Sequence, residues 1–425
     1  MTLLILVSVL IILLVIGLPL PYSLGAAAIA ALLSMGDIPM TVVPQRFVAG
    51  IDSFAFMAIP FFLLVGELMN AAGITQRIIR LSNAMVGHLH GGLANVNVVS
   101  SMFFGGISGS ATADTASIGS ILVPAMKKEG YDASFSAALT ATSSTCGPII
   151  PPSILLVLYG VIANVSITQL FLAGYVPGVL LGLGLLFLSY IISKKRKYPI
   201  HDRSSLKVVA IAFKEAAWAV MLPFLIIGGM LSGIFTVTEA AGVSVVYALI
   251  VGLFIYKDMK ISELPKVFAK SMIKVGTLMT VAAAALIFAW VLTILEVPQL
   301  LTAQIFEITR NPLLILLLLN LLFLFVGMFM EAKAAMLILL PVILPILPEV
   351  GIDPIHFGVV IVFNLLIGLV TPPVGLCLNL ASKIGDVGID KTAKAAMPFI
   401  GVMLLVLILI TYVPSTVLWL PSLMN

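Results

Sequence analysis

The chain has 425 residues, of which 61% are hydrophobic and 9% are charged, and its formal net charge is +4. A soluble globular domain carries about 25% charged residues, so this composition excludes an ordinary soluble protein and indicates a surface that mostly faces lipid. The basic residues are concentrated in a few short connections without stacking aromatic residues, which excludes a nucleic-acid-binding face and favours charge that sets membrane topology.

Apolar stretches of spanning length begin at the N-terminus and recur to the end of the chain. Residues 1–18 lack a positively charged leading region and a small-residue cleavage site, so we interpret them as a retained helix and not as a secretory signal. In each half, the pattern predicts two spans, an amphipathic segment, a third span and a second amphipathic segment. A re-entrant hairpin, a span broken at a Pro-Pro pair and a final span then complete the half.

The two hairpins are predicted at 91–126 and 311–348. Each carries a polar cluster at its middle, GGISGSATADTAS in the first and VGMFMEAKAAM in the second, which a lipid-facing helix would not tolerate. Non-helical backbone at membrane depth is stable only where protein or a water-filled cavity covers it. A single bent helix is the alternative, but basic residues before and after the first segment favour a hairpin that returns to the same side.

The chain repeats itself with an offset of 221 residues. The matched residues are mostly glycines and prolines, which fix backbone geometry. We therefore predict a first inverted repeat at 1–192, a cytoplasmic basic connection at 193–214 and a second inverted repeat at 215–425. The pairs include Gly106 with Gly327, Pro124 with Pro345, Gly147 with Gly368, Pro151-Pro152 with Pro372-Pro373, and Pro177 with Pro398.

Charge predicts the orientation of the two repeats. When 193–214 is placed in the cytoplasm, 19 of the 22 Lys and Arg residues fall on that side; the exceptions are Arg46, Arg310 and Lys333. The threading gives an odd number of crossings per half, which inverts the second half relative to the first. Both termini are then periplasmic. Inverted repeats of this kind are typical of secondary transporters.

Each half pairs a polar hairpin tip with a proline-broken span. In the first half, 105–114 faces 145–153, and in the second, 327–333 faces 368–375. Proline removes amide donors and leaves carbonyl oxygens exposed at the break, which suits a small hard cation such as Na⁺. We therefore hypothesise two pseudo-symmetric sodium sites. The alternative is that Gly and Pro only let the helices pack closely and bend.

Ionisable residues at membrane depth each require a reason, since a charge at a helix centre costs about 2.5–3.5 kcal/mol on insertion scales. Asp114, Glu331 and Lys333 lie in the hairpin tips. For Glu331 and Lys333, a structural ion pair and a substrate contact both remain open. The chain has no HExxH, P-loop or Gly-x-Ser-x-Gly motif, and Cys146 and Cys377 have no ligand spacing, so we predict that it is not an enzyme.

At these motifs the chain resembles the large membrane subunit of tripartite ATP-independent periplasmic (TRAP) transporters. The resemblance covers essentially the whole chain. It implies a fold like that of the ion-transporter superfamily: an all-α polytopic membrane protein whose inverted-topology repeats each hold a re-entrant hairpin and a broken helix. The segments that carry it are GGISGSATADTASIGSILVPAMKKEGYD, CGPIIPPSILLVLYG, TEAAGVSVVYAL, GMFMEAKAAMLILLPVILPI and TPPVGLCLNLAS.

The same resemblance implies sodium-coupled import of an organic acid anion by an elevator-type motion in the bacterial inner membrane, with two or more Na⁺ as coupling ions. It also implies a soluble periplasmic substrate-binding protein and a small four-helix membrane subunit, which we expect to be a separate polypeptide. The implied first sodium site comprises Ser108, Ser110, Gly147, Ile150 and Pro152, and the second comprises Gly327, Met330, Gly368, Thr371 and Pro373. The implied substrate contacts are Ser110, Thr112, Asp114, Ser144 and Glu331.

Two other functions compete with this interpretation. A stand-alone sodium/carboxylate symporter would need no binding protein, and a passive channel or membrane scaffold would need no ion gradient. Sialic acid, four-carbon dicarboxylates and other sugar or keto acids all fit a site built from hydroxyls and backbone. The sequence therefore predicts the class of substrate but not its identity.

Overall fold

The computed structural model describes residues 1–424, and all regular secondary structure within that range is helical. Six helices are long and apolar enough to cross a membrane, and a bent pair of helices raises the number to seven. The predicted all-α polytopic fold is therefore confirmed. The first two helices, with 14 and 16 residues, are shorter than the roughly 20 residues of a straight span.

The first half contains ten α-helices. In chain order they are α1 (Thr2–Val15), α2 (Leu20–Met35), α3 (Val42–Ile51), α4 (Ala58–Ala71), α5 (Ile74–Val86), α6 (Gly92–Ser108), α7 (Ala111–Lys128), α8 (Ala133–Ser143), α9 (Ile154–Ala163) and α10 (Ile167–Lys195).

The second half begins with α11 (Leu206–Leu231), so the non-helical part of the basic connection is 196–205. The remaining helices are α12 (Val237–Ile250), α13 (Leu264–Ile294), α14 (Val297–Ile308), α15 (Pro312–Phe329), α16 (Ala332–Ile343), α17 (Ile346–Glu349), α18 (Pro354–Gly368), α19 (Leu376–Gly385), α20 (Ile389–Tyr412) and α21 (Ser415–Ser422).

The internal repeat is visible in the helix boundaries. α7 and α8 begin at Ala111 and Ala133, and α16 and α18 begin 221 residues later, at Ala332 and Pro354. The helix pairs α6–α7 and α15–α16 are the two predicted hairpins. The broken spans are α8 with α9 and α18 with α19, and each is interrupted at its Pro-Pro pair. The opposite orientation of the two halves in the membrane stays a prediction.

The halves differ where the third span begins. In the first half, α3 and the helical segment 55–71 form a pair bent by 63°. In the second half, a single 3₁₀ turn precedes α13, which then runs for 31 residues without a break. The amphipathic segment predicted before this span is therefore not a separate helix in the second half, and the only proline of α13 lies in its first turn, where proline is tolerated.

The hairpins and broken spans of both halves interleave in one group of helices. α19 packs on α7 and α8, and α9 packs on α18. Tyr159 on α9 donates a 2.6 Å hydrogen bond to the Pro354 carbonyl at the start of α18. A second group forms around α4, which contacts α12 and α13. The two groups meet where α6 touches α4 and α16 touches α13, and this places both hairpin tips beside the third spans.

Candidate functional site

The first hairpin packs backbone to backbone against the broken span that follows it. A Cβ built at Gly105 would lie 2.5 Å from the Gly147 Cα, and one built at Gly109 would lie 2.8 Å from the Pro152 carbonyl oxygen. No real side chain tolerates the first of these distances, so glycine is what lets the segments touch. The predicted pairing of 105–114 with 145–153 is present in the structure.

The break between α8 and α9 leaves main-chain oxygens without donors. Ser108 Oγ lies at the adjoining hairpin tip, where it accepts a 3.4 Å hydrogen bond from the Ser110 amide. Buried polar groups normally find a partner, so bare carbonyls of this kind fit a cation that the protein would hold. Among the described residues, no hydrogen bond reaches the carbonyl oxygens of Gly147, Ile150 and Pro152.

The second half repeats this plan. A Cβ built at Gly368 would lie 2.4 Å from the Gly327 carbonyl carbon. The Val374 amide donates a 3.3 Å hydrogen bond to the Met328 carbonyl, which joins the second hairpin to its broken span directly. Gly368 differs from its counterpart, because its carbonyl accepts a 3.1 Å bond from the Thr371 amide. Three other carbonyl oxygens accept no hydrogen bond from the residues described, those of Met330, Thr371 and Pro373.

A cavity of about 730 Å³ lies between the two hairpin tips and the helices α4 and α13. Ser110 and Thr112 reach it from the first tip, with their hydroxyl oxygens 3.2 Å apart. Glu331 reaches it from the second tip, where Lys333 Nζ donates to its carboxylate at 2.6 Å. Three of the five predicted substrate contacts therefore line a single cavity.

Asp114 and Ser144 do not reach this cavity. Both are fully buried behind the first hairpin. Asp114 Oδ1 accepts a 3.0 Å bond from Ser101 Oγ, and Ser144 Oγ accepts a 2.7 Å bond from Thr115 Oγ1. The other Asp114 carboxylate oxygen has no hydrogen-bond partner among residues 1–424. A molecule in the cavity would not touch either residue in this conformation, because their side chains lie among α6, α7 and the end of α8.

Sequence reasoning missed an ion cluster on the opposite wall. Glu67 of α4 is bound by Lys270 and Lys274 of α13, and Glu67 and Lys274 line the cavity. No functional role is predicted for Glu67 from the sequence, and the two lysines are counted among the basic residues that set membrane topology. The four-residue spacing of the lysines, which places them on one helix face, was the available signal. No local pattern indicates that α4 and α13 are neighbours.

Comparison with known proteins gives a consistent result. Residues 7–416 match the family model "Tripartite ATP-independent periplasmic transporter, DctM component". A sialic acid TRAP transporter large permease protein of Vibrio cholerae is 39% identical, with 96% of this chain and 95% of that protein covered. A C4-dicarboxylate TRAP transporter large permease protein of Pseudomonas aeruginosa is 42% identical, with 87% of both covered. An isethionate TRAP transporter permease protein of Oleidesulfovibrio alaskensis is 43% identical over 95% of this chain and 64% of that protein.

One solved structure extends the comparison to the fold. The crystal structure of the YdaH transporter of Alcanivorax borkumensis superposes with a TM-score of 0.61 over 88% of this chain and 87% of that one. The two sequences are 15% identical, so this likeness concerns the helical architecture alone.

Proposed function

The chain belongs to the DctM-component family of tripartite ATP-independent periplasmic transporters, and we propose that it is the subunit through which a sodium gradient drives import of an organic acid anion. The observation that carries this proposal is the repeated contact of a hairpin tip with a broken span, Gly105 on Gly147 and Gly327 on Gly368, around one cavity. Ion and substrate sites near the midplane between two repeats are the usual arrangement of secondary transporters.

The sodium ions would bind where each span is broken. Bare carbonyls at Gly147, Ile150 and Pro152 support the first site, and those at Met330, Thr371 and Pro373 support the second. Ser108 and Ser110 would complete the first site and Gly327 and Gly368 the second. Carbonyl and hydroxyl oxygens replace the hydration of a hard cation without adding formal charge. Each net positive charge that moves inward gains about 2.3 kcal/mol per 100 mV, which would drive the anion uphill.

The substrate would bind in the cavity between the two sites. Ser110 and Thr112 supply hydroxyl groups, and Glu331 with Lys333 supplies an ion pair at the second tip. Asp114 and Ser144, which the sequence also predicted as contacts, support the wall of the cavity from behind. The relatives are named for sialic acid, C4-dicarboxylates and isethionate, so we propose a small carboxylate or sulfonate as the cargo.

The proposed assembly follows from the family. A periplasmic binding protein would deliver the anion, and a small four-helix membrane subunit would accompany this chain in the inner membrane. Both termini would be periplasmic. The group of hairpins and broken spans would move against the group around α4, α12 and α13 in an elevator-type motion, since the cavity lies at the boundary between the two groups.

Reconstitution tests this proposal against the stand-alone symporter. Proteoliposomes would hold the chain with its small subunit, and uptake of labelled N-acetylneuraminate, succinate and isethionate would be measured with and without the binding protein. We expect uptake of at least one anion that requires both an inward sodium gradient and the binding protein. Uptake without the binding protein would support the stand-alone symporter, and uptake that does not depend on the sodium gradient would overturn the coupling.

A further inference from the structure

The ion cluster opposite the hairpin tips consists of one carboxylate and two ammonium groups. Lys270 Nζ lies 2.8 Å from one oxygen of Glu67, and Lys274 Nζ binds the other oxygen. The Glu67 side chain is 11% exposed, whereas those of Lys270 and Lys274 are 59% and 43% exposed. The carboxylate is therefore held inside the helix packing, while both ammonium groups face open space.

This cluster lies where two cavities meet. A second cavity of about 410 Å³ adjoins the first, and Glu67 and Lys274 line both of them. Lys270 lines only the second cavity, together with Ser120 of α7, while Ser117 of α7 is common to the two. The second cavity extends toward α5 and the first residues of α13, the side predicted to be cytoplasmic.

The cluster carries a net charge of +1, because one glutamate faces two lysines. Glu331 and Lys333 across the cavity neutralise each other. Because Lys270 lines only the second cavity, the excess positive charge lies on that cavity and at its junction with the first, where α7 offers the small polar residue Ser117. A net positive charge on a cavity wall raises the local concentration of anions.

We propose that Lys274, held by Glu67 and assisted by Lys270, forms an anion-binding subsite where the two cavities meet, and that this subsite receives the carboxylate or sulfonate group of the cargo. This inference rests on the proposed function for the identity of the cargo. The positive charge of the subsite does not depend on it. Because Lys274 lies on α13 and not on a hairpin, the subsite stays with the α4 and α13 wall when the hairpins move. The subsite would bind the anion on the side predicted to be cytoplasmic, toward which the second cavity extends.

A cysteine reporter measures this charge without any substrate. Thr277 lines the first cavity one turn from Lys274. In Thr277→Cys, alkylation by an anionic methanethiosulfonate (the sulfonatoethyl reagent) would be compared with alkylation by the cationic trimethylammonium reagent. The ratio would be normalised to Thr293→Cys, which lies on the same helix in a different cavity. We expect Lys274→Gln to lower the normalised anion-to-cation ratio by about tenfold, and Glu67→Gln to raise it. An unchanged ratio in Lys274→Gln would overturn the inference.

The transport measurement then tests the role of the charge. In the complete reconstituted complex, we expect Lys274→Gln to raise the KM for the transported anion by about tenfold. Lys274→Arg keeps the positive charge and should leave the KM close to that of the unaltered protein. The sodium dependence should be unchanged in both variants. If Lys274→Gln lowers the normalised anion-to-cation labelling ratio but leaves the KM for the transported anion unchanged, the proposed role of Lys274 in binding the cargo is also overturned. If the unaltered complex imports none of N-acetylneuraminate, succinate and isethionate, the proposed function fails, and the labelling ratio alone decides the inference.

Discussion

Gly368 lies directly against the main chain of Gly327, so closely that a Cβ at position 368 would overlap the Gly327 carbonyl group. The backbone separation at this point sets where the second hairpin tip stands relative to the carbonyls of the broken span. In the first half the close approach is at Gly105, where a Cβ would lie 2.5 Å from the Gly147 Cα. A side chain at Gly368 or at Gly105 must push the two segments apart.

We therefore expect Gly368→Ala and Gly105→Ala to weaken sodium activation of uptake by about tenfold or more, because the oxygens on the two segments would no longer converge on one ion. The measurement is the sodium concentration for half-maximal uptake. Gly401→Ala in α20 is the matched control, since a Cβ there meets nothing within 4 Å. Sodium activation that is equal in all three variants would contradict the proposed ion sites.

A second prediction concerns Glu331 and Lys333. Both side chains are partly exposed, at 51% and 27%, so their ion pair contributes about 0–1 kcal/mol to stability. We expect Glu331→Gln to change the KM for the anion while the melting temperature stays within a degree or so. Replacing both residues, Glu331→Gln with Lys333→Gln, restores neutrality and separates the effect of charge from that of the carboxylate. A large loss of stability in the single variant would instead assign the pair a structural role.

A third prediction concerns the hydrogen bond from Tyr159 to Pro354, which joins the two halves. Tyr159→Phe removes the donor of this hydrogen bond, and a bond of this kind contributes about 1 kcal/mol to stability. We expect the apparent melting temperature of the purified protein to fall by about 1–2 °C. Tyr412→Phe, at an exposed position, is the control and should leave the melting temperature unchanged. Equal melting temperatures for both variants would mean that the hydrogen bond from Tyr159 to Pro354 does not stabilise the contact between the two halves.

A fourth prediction tests the inversion of the repeats. Single cysteines would replace Lys128, after the first hairpin, and Glu349, after the second, and an impermeant thiol reagent would be applied from either side of the membrane. We expect Lys128→Cys to react from the cytoplasm and Glu349→Cys from the periplasm. Reaction of both from the same side would exclude inverted repeats, whatever the structure of each half. Cys146 and Cys377 are buried and give a low background.

The features that the two halves share could be predicted from the sequence, because the repeated residues are glycines and prolines, which fix the backbone conformation. The glycines and the Pro-Pro pairs predicted the hairpins, the broken spans and the contact between them. The approach of α4 to α13 could not be predicted, since Glu67 and Lys274 are 207 positions apart and no local pattern links them. The burial of Asp114 was missed for a related reason. A polar residue at a hairpin tip can face the cavity or the neighbouring helix, and only the packing of α6 and α7 decides.

The interleaving of the halves has a consequence for how such a chain could have originated. Lys127 of the first half binds the Gly385 carbonyl of the second at 2.7 Å, and α19 fills the space beside α7 and α8. A gene that encoded only one half would produce a chain with that space empty. Such a chain would be stable only as a pair of identical copies, each closing the interior of the other. With the predicted inversion of the repeats, the two copies would be inserted in opposite directions.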